Sequence, residues 1–251
     1  MALNNKKEPK CLTGLFNYNL PSVEPNIVKS GDVMSYQLMT KRYSHWVLDD
    51  KGEMEYISET KIKTNDTWYG LVKEFTNKNT AIIVMDPWID WADENLNGYF
   101  GKIVDDYLMP LIDKVAENGH PIIIFTNSPA IVAYNTKISL GLQKLVDEGK
   151  AVLLYHSDYD ADSFAAYLKN IGVNKVIYTG FCSNMCVLFR KVGIPFMNTK
   201  VQTYFIPQCS GAIEHATTWE TQDCHKHTTL LISQTQALLI EFDDIMNALI
   251  K

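Results

Sequence analysis

Val176-Ile-Tyr-Thr-Gly-Phe-Cys-Ser-Asn-Met-Cys-Val187 reads as a short apolar strand that stops at Gly180, a tight polar turn, and a helix opened by Cys186. A helix N-terminus leaves backbone N–H groups without partners and carries partial positive charge. It therefore favours a thiolate, the reactive form of cysteine. The alternative for any single cysteine is an inert thiol buried beside a strand.

Outward from this segment the chain alternates between two patterns. Apolar runs suited to strands cover 81–85, 121–125, 151–155, 175–179, 201–206 and 236–240. Helical periodicity covers 103–116, 140–146, 162–168, 186–192 and 242–250, and a further helix is expected over much of 213–233. Continuous apolar strands separated by helices are the mark of a parallel sheet buried on both faces. The predicted fold is a three-layer, doubly wound α/β domain over 78–251, its mostly parallel sheet flanked by helices on both faces. Ligands of such sheets lie at the carboxyl ends of the strands, where strand order reverses. Asp86 follows the first of these strands, His156 the third and Cys186 the fourth, so all three are expected to converge on one crevice.

Residues 1–77 differ in character and read as an N-terminal extension. Pro9, Pro21 and Pro25 punctuate a polar start, and two short runs around Asp49-Asp-Lys-Gly52 read as a hairpin. Residues 67–75 read as a short helix. The extension is a lid, an oligomer arm or a cover for one edge of the sheet.

Composition narrows the function classes. With 251 residues, 46% of them hydrophobic, the chain can bury a substantial core. A net charge of -6 and the lack of a Lys/Arg cluster argue against nucleic-acid binding. No apolar leader opens the sequence and no run approaches about 20 apolar residues, so the expectation is a cytoplasmic protein without a membrane role. Five cysteines, an odd number, suggest free thiols. Neither the Rossmann Gly-x-Gly-x-x-Gly nor the Walker loop is present.

A cysteine nucleophile needs a base and donors for an oxyanion. Asp86 can take the proton, the backbone N–H groups around Cys182 and Cys186 can be the donors, and a protonated His156 would favour the thiolate and orient the acid. Trp88, Trp91 and Phe164 line an aromatic substrate pocket or pack as core. Asn127 and Asn184 bind polar substrate groups or cap turns.

Together these residues resemble the isochorismatase-like cysteine hydrolase superfamily, which includes nicotinamidases and N-carbamoylsarcosine amidases. The resemblance spans about residues 80–245 and rests on the strand ending at Asp86, on Ser163-Phe164, on Tyr178-Thr-Gly-Phe-Cys-Ser-Asn-Met-Cys-Val187, and on Gly193-Ile-Pro-Phe196 and His227-Thr-Thr-Leu230. It implies Asp86 as base, Cys186 as nucleophile, a cis peptide at Phe181–Cys182 and an oxyanion hole from the N–H groups of Cys182 and Cys186. The implied activity is hydrolysis of a C–N bond in a small amide, imide or ureido substrate through a thioester. The implied assembly is a homodimer or homotetramer.

The family's third catalytic residue is a lysine, and here the pattern breaks. No lysine lies between Leu153 and Phe164, and His156 holds the strand-end position. Histidine replaces the lysine, or the reaction is altered, isochorismatase-type vinyl ether hydrolysis included, or the chain is a non-catalytic oligomeric or regulatory member of the fold. No cofactor and no catalytic metal are expected. Asp86-Pro-Trp-Ile-Asp-Trp91 has no nearby histidine, and Thr126-Asn-Ser-Pro129 stands where metal-binding relatives often carry one. His215, His225 and His227 read as structural or solvent-facing.

Overall fold

A computed structural model of the chain describes residues 28–30, 33–43, 46–48, 54–56 and 68–250. The strands in chain order are β1 (Val28–Ser30), β2 (Val33–Tyr43), β3 (Trp46–Leu48), β4 (Met54–Tyr56), β5 (Trp68–Thr76), β6 (Thr80–Met85), β7 (Ile122–Thr126), β8 (Val152–Tyr155), β9 (Lys175–Phe181), β10 (Gln202–Gly211) and β11 (Leu238–Leu239). The helices are α1 (Glu94–Ile103), α2 (Met109–Glu117), α3 (Leu140–Asp147), α4 (Ala161–Asn170), α5 (Cys186–Phe189), α6 (Ile194–Met197), α7 (Asp223–Thr235) and α8 (Phe242–Ile250). A π-helical segment, Val104–Leu108, joins α1 to α2.

Nine strands form one sheet in the order β1-β2-β11-β10-β9-β6-β7-β8, with β5 also on β2. The pairings from β11 through β8 are all parallel, and those made by β2 are antiparallel. β6 is central. The chain winds outward through β7 and β8, then returns to the other side of β6 as β9, so strand order reverses between β6 and β9. A crevice at their carboxyl ends is where such a sheet binds ligands.

All of β6 is buried, and its side chains part between two cores. Ile82 and Val84 pack with Leu111, Ile112 and Ile245 on one face, while Ala81, Ile83 and Met85 pack with Phe164, Leu168 and Ile232 on the other. Helices cover both faces, so no strand position at the centre meets water, and the run is apolar without alternation. Among the described residues no helix is long and apolar enough to cross a membrane.

Two expectations fail. The segment 67–75 is strand, because β5 pairs with β2 along its whole length, from Trp68 opposite Tyr43 to Thr76 opposite Ser35. Its side chains alternate, with Phe75 buried and Val72 and Glu74 exposed, which is period two. Through β11, which touches β2 at Leu239 opposite Lys41, this pair extends the main sheet. The β3–β4 ladder is a separate antiparallel pair, and the turn residues between these strands lie outside the described residues. The second failure is the helix over 213–233, which begins only at Asp223. The hydroxyl of Thr218 closes a local turn on His215, and Gln222 is left-handed. The Glu214 carboxylate then takes the free N–H groups of Cys224 and His225 at 3.0 and 2.9 Å, doing for this helix what an N-cap side chain does. In the other direction, the helical region expected over 103–116 starts earlier, at Glu94, because Asp93 caps it on Asn95 N–H at 2.7 Å.

Candidate active site

Asp86 is the first residue after β6 and is fully buried. Its φ of 44° is unusual for a residue with a Cβ. Two backbone bonds hold it there: its N–H donates to Phe125 O at 2.9 Å, and its carbonyl accepts from Trp88 N–H at 2.8 Å. His156, the first residue after β8, has its N–H on Thr126 O at 3.1 Å and its ring stacked on Phe125 at 5.4 Å. That stacking directs Nε2 to Asp86 Oδ1 at 2.6 Å. A carboxylate oxygen only accepts, so Nε2 carries the proton of this bond. Nδ1 is buried and finds no partner among the described residues.

The nucleophile turn leaves β9 through Gly180 and a cis Phe181–Cys182 peptide. Gly180 has φ of 86°, and a Cβ there would lie 2.2 Å from Met85 O. Past it, the N–H groups of Met185, Cys186 and Val187 converge on the Cys182 carbonyl at 3.0, 2.9 and 3.1 Å. Ser183 N–H is tied to Gly211 O at 2.8 Å, and its hydroxyl meets His225 Nδ1 at 2.8 Å. His225 Nε2 faces Pro207 O at 3.1 Å and must donate there, so Nδ1 accepts from Ser183. Burial pushes the His225 pKa down to about 4, which keeps this anchor neutral.

Cys186 is thus half-buried at the first position of α5, near enough to Asp86 for the carboxylate charge to act on its thiol. Burial, then the Asp86 charge, push its pKa up to about 12 against the opposing pull of Arg190. The resting group at pH 7 is therefore the neutral S–H. The Cys182 thiol is deeper still and pushed well above its usual value, first by burial.

Arg190 was not among the residues singled out from the sequence. It caps α5 four residues after Cys186 and donates from Nε to Asp86 Oδ2 at 3.1 Å. From Nη2 it donates to Asn127 Oδ1 at 2.9 Å, and its guanidinium lies over the Trp88 ring at 5.9 Å. Both carboxylate oxygens of Asp86 are therefore engaged, one by histidine and one by a permanent cation. The i, i+4 spacing from Cys186 was the available signal.

The remaining candidates make bonds within the fold. Trp88 donates to Thr126 Oγ1 at 2.9 Å, and Trp91 donates to Trp88 O at 3.0 Å, so both indoles brace the strand ends. Asn127 holds Arg190 and, through Nδ2, Asn135 O. Asn184 clamps Ile213 by both its N–H and its carbonyl. Phe164 is core: it is fully buried edge-on against Phe125 at 4.9 Å, one ring behind His156. The expected oxyanion donors divide. The Cys186 N–H is spent on Cys182 O, whereas the Cys182 N–H is not among the backbone–backbone bonds of the turn and acts on the Cys186 thiol. Among those residues no three His, Cys, Asp or Glu side chains are grouped to hold a metal ion.

No protein-family model matches the sequence, and a search of curated proteins finds no match. Solved structures do match. An isochorismatase from Pseudomonas putida superposes with a TM-score of 0.52 at 15% identity, over 74% of this chain and 98% of that one. An isochorismatase-like hydrolase from Alkaliphilus metalliredigens gives 0.52 at 15% identity over 68% and 98%. A cysteine hydrolase from Pseudomonas syringae pv. phaseolicola gives 0.52 at 10% identity over 69% and 93%.

The chain has the isochorismatase-like hydrolase fold.

At these identities the likeness establishes architecture alone, and chemistry has to be argued from the site. In this fold the reversal of strand order between β6 and β9 puts Asp86 and the Cys186 turn side by side.

Proposed function

We propose that the chain is a cysteine-dependent hydrolase cleaving the C–N bond of a small amide, imide or ureido compound. The observation that carries this is a buried Asp86, held by Arg190 and His156, beside the thiol of Cys186 at the strand ends. A neutral thiol has to lose its proton as it attacks, and Asp86 is the base beside it. As sulfur bonds to the substrate carbonyl carbon, the thiol proton passes to Asp86 and negative charge moves to the carbonyl oxygen. The Cys182 N–H, outside the backbone–backbone bonds of the turn, is the donor for that oxygen, and Arg190 adds favourable charge. Asp86 then protonates the leaving nitrogen, ammonia or an amine departs, and a thioester remains. Water attacks the thioester while giving a proton to Asp86. That proton returns to sulfur as the acid product leaves.

In this scheme Arg190 and His156 together take the part of the family's lysine. Vinyl ether hydrolysis needs no thiol nucleophile and leaves the Cys186–Asp86 contact without a role. A silent member of the fold is the second reading, favoured by the engaged Cys186 N–H and the high thiol pKa. Cytoplasmic placement and a homodimeric or homotetrameric assembly belong to the hydrolase reading.

Ammonia release from a panel of primary amides and ureido compounds decides between the two. The hydrolase reading expects turnover of at least one compound by the intact chain and a fall of 10³-fold or more in Cys186→Ala, of the order seen when a catalytic nucleophile is removed. No release from any compound, or release that survives Cys186→Ala, would overturn it.

A further inference from the structure

At the amino ends of β10 and β11 lies an open hollow of about 310 Å³, at the opposite end of the sheet from Asp86 and Cys186. It exists because β11 has only two residues beside the ten of β10, so the sheet between β10 and β2 is incomplete below Leu238. Its wall is made by Arg42, Lys73, Asn198, Gln202, Thr203 and Gln236, together with Tyr204, Ala237 and Leu238. None of these is acidic, although the chain as a whole carries a net charge of -6. A pocket with two cations and no carboxylate in an acidic protein concentrates anions.

The polar groups are fixed in place. Arg42 donates from Nε and Nη2 to Gln234 O at 3.3 and 2.9 Å, which locks the guanidinium plane and leaves its other N–H groups available. The Tyr204 hydroxyl donates to Gln202 Oε1 at 3.2 Å, which orients the amide and leaves its NH₂ to donate. The Thr203 hydroxyl donates to Gln236 O at 2.8 Å. Lys73 makes no hydrogen bond among the described residues, and its charge acts on neighbouring Lys175. The nearby acid Glu74 accepts from Ser35 Oγ at 2.7 Å. One group has the opposite demand: Gln236 Oε1 is a buried acceptor with no partner among the described residues. An occupant has to bring negative charge for Arg42 and Lys73 and a donor for Gln236.

We propose that this hollow is a second binding site, separate from the catalytic crevice, for a small hydroxylated anion, either a phosphate monoester or a hydroxycarboxylate. The test is calorimetric titration of the full chain with glycerol 3-phosphate and with malate, using glycerol as the neutral control. At least one anion binds saturably, more weakly at high salt, and glycerol does not. Lys73→Met weakens that binding about tenfold or more, as expected for loss of one charge-assisted contact; its ammonium makes no hydrogen bond among the described residues, so the substitution leaves the described fold's hydrogen bonds intact. Arg42→Gln weakens it as well. Binding of glycerol 3-phosphate alone assigns the phosphate class, and binding of malate alone the carboxylate class. Absence of saturable binding by both, or binding unchanged in Lys73→Met, would overturn the proposal.

Discussion

Gly180→Ala is expected to yield no soluble folded protein. The new Cβ would lie 2.2 Å from Met85 O, 2.6 Å from Met85 N and 2.9 Å from Met85 C, all backbone of the neighbouring central strand. A flexible side chain could swing aside, but a backbone inside a parallel ladder cannot, because Met85 pairs directly with Gly180. The φ of 86° adds a second cost, since a residue with a Cβ rarely adopts it. Either effect alone destabilises, and together they exceed about 4 kcal/mol, a large share of the stability of a typical domain. Soluble yield and a urea midpoint measure this. A soluble variant with an unchanged midpoint would mean that the strand end is built differently.

Arg190→Met has the second largest expected effect, and it acts on the site. Asp86 is fully buried, so losing the Arg190 contact leaves a carboxylate with only His156 on its other oxygen. Arg190 is partly exposed, so the loss is less than for a fully buried pair, about 1–3 kcal/mol. The thiol responds too. Arg190 lowers the Cys186 pKa, so its removal raises that pKa further and slows alkylation at a given pH. Ammonia release is expected to fall at least about tenfold, the equivalent of some 1.4 kcal/mol of lost transition-state stabilisation. Arg190→Lys should recover only part of the loss, because an ammonium cannot reach Asp86 and Asn127 with a planar fork. Wild-type alkylation and ammonia release in Arg190→Met would show that the guanidinium is merely structural.

The central strands were legible because burial on both faces forces an apolar run, and the meeting of Asp86 with His156 was legible because each directly follows such a run. What sequence reading missed depends on distant partners. Arg190 meets Asp86 across 104 residues, and its i, i+4 spacing from Cys186, the one local signal, does not say that it reaches that carboxylate. Residues 67–75 carry no strong periodicity of their own, and the β2 ladder decides their state. Trp88, Trp91 and Asn127 were found as residues of the crevice, but their bonds face the scaffold and Arg190, a distinction that requires coordinates. The helix start at Asp223 was hidden for a similar reason, since its cap is Glu214, nine residues before the helix and outside the usual capping spacing.

The most direct test of a proton-accepting Asp86 beside a neutral Cys186 is iodoacetamide alkylation of the Cys186 peptide between pH 7 and 10, in the intact chain and in Asp86→Asn, alongside ammonia release. Burial and then the Asp86 charge raise the Cys186 pKa, so removing the charge lowers that pKa from about 12. Alkylation is therefore expected to be faster in Asp86→Asn at every pH in the range, while ammonia release is lost with the base. Slower or unchanged alkylation in Asp86→Asn, or ammonia release that survives the substitution, would contradict the assignment of Asp86 as the group that takes the Cys186 proton.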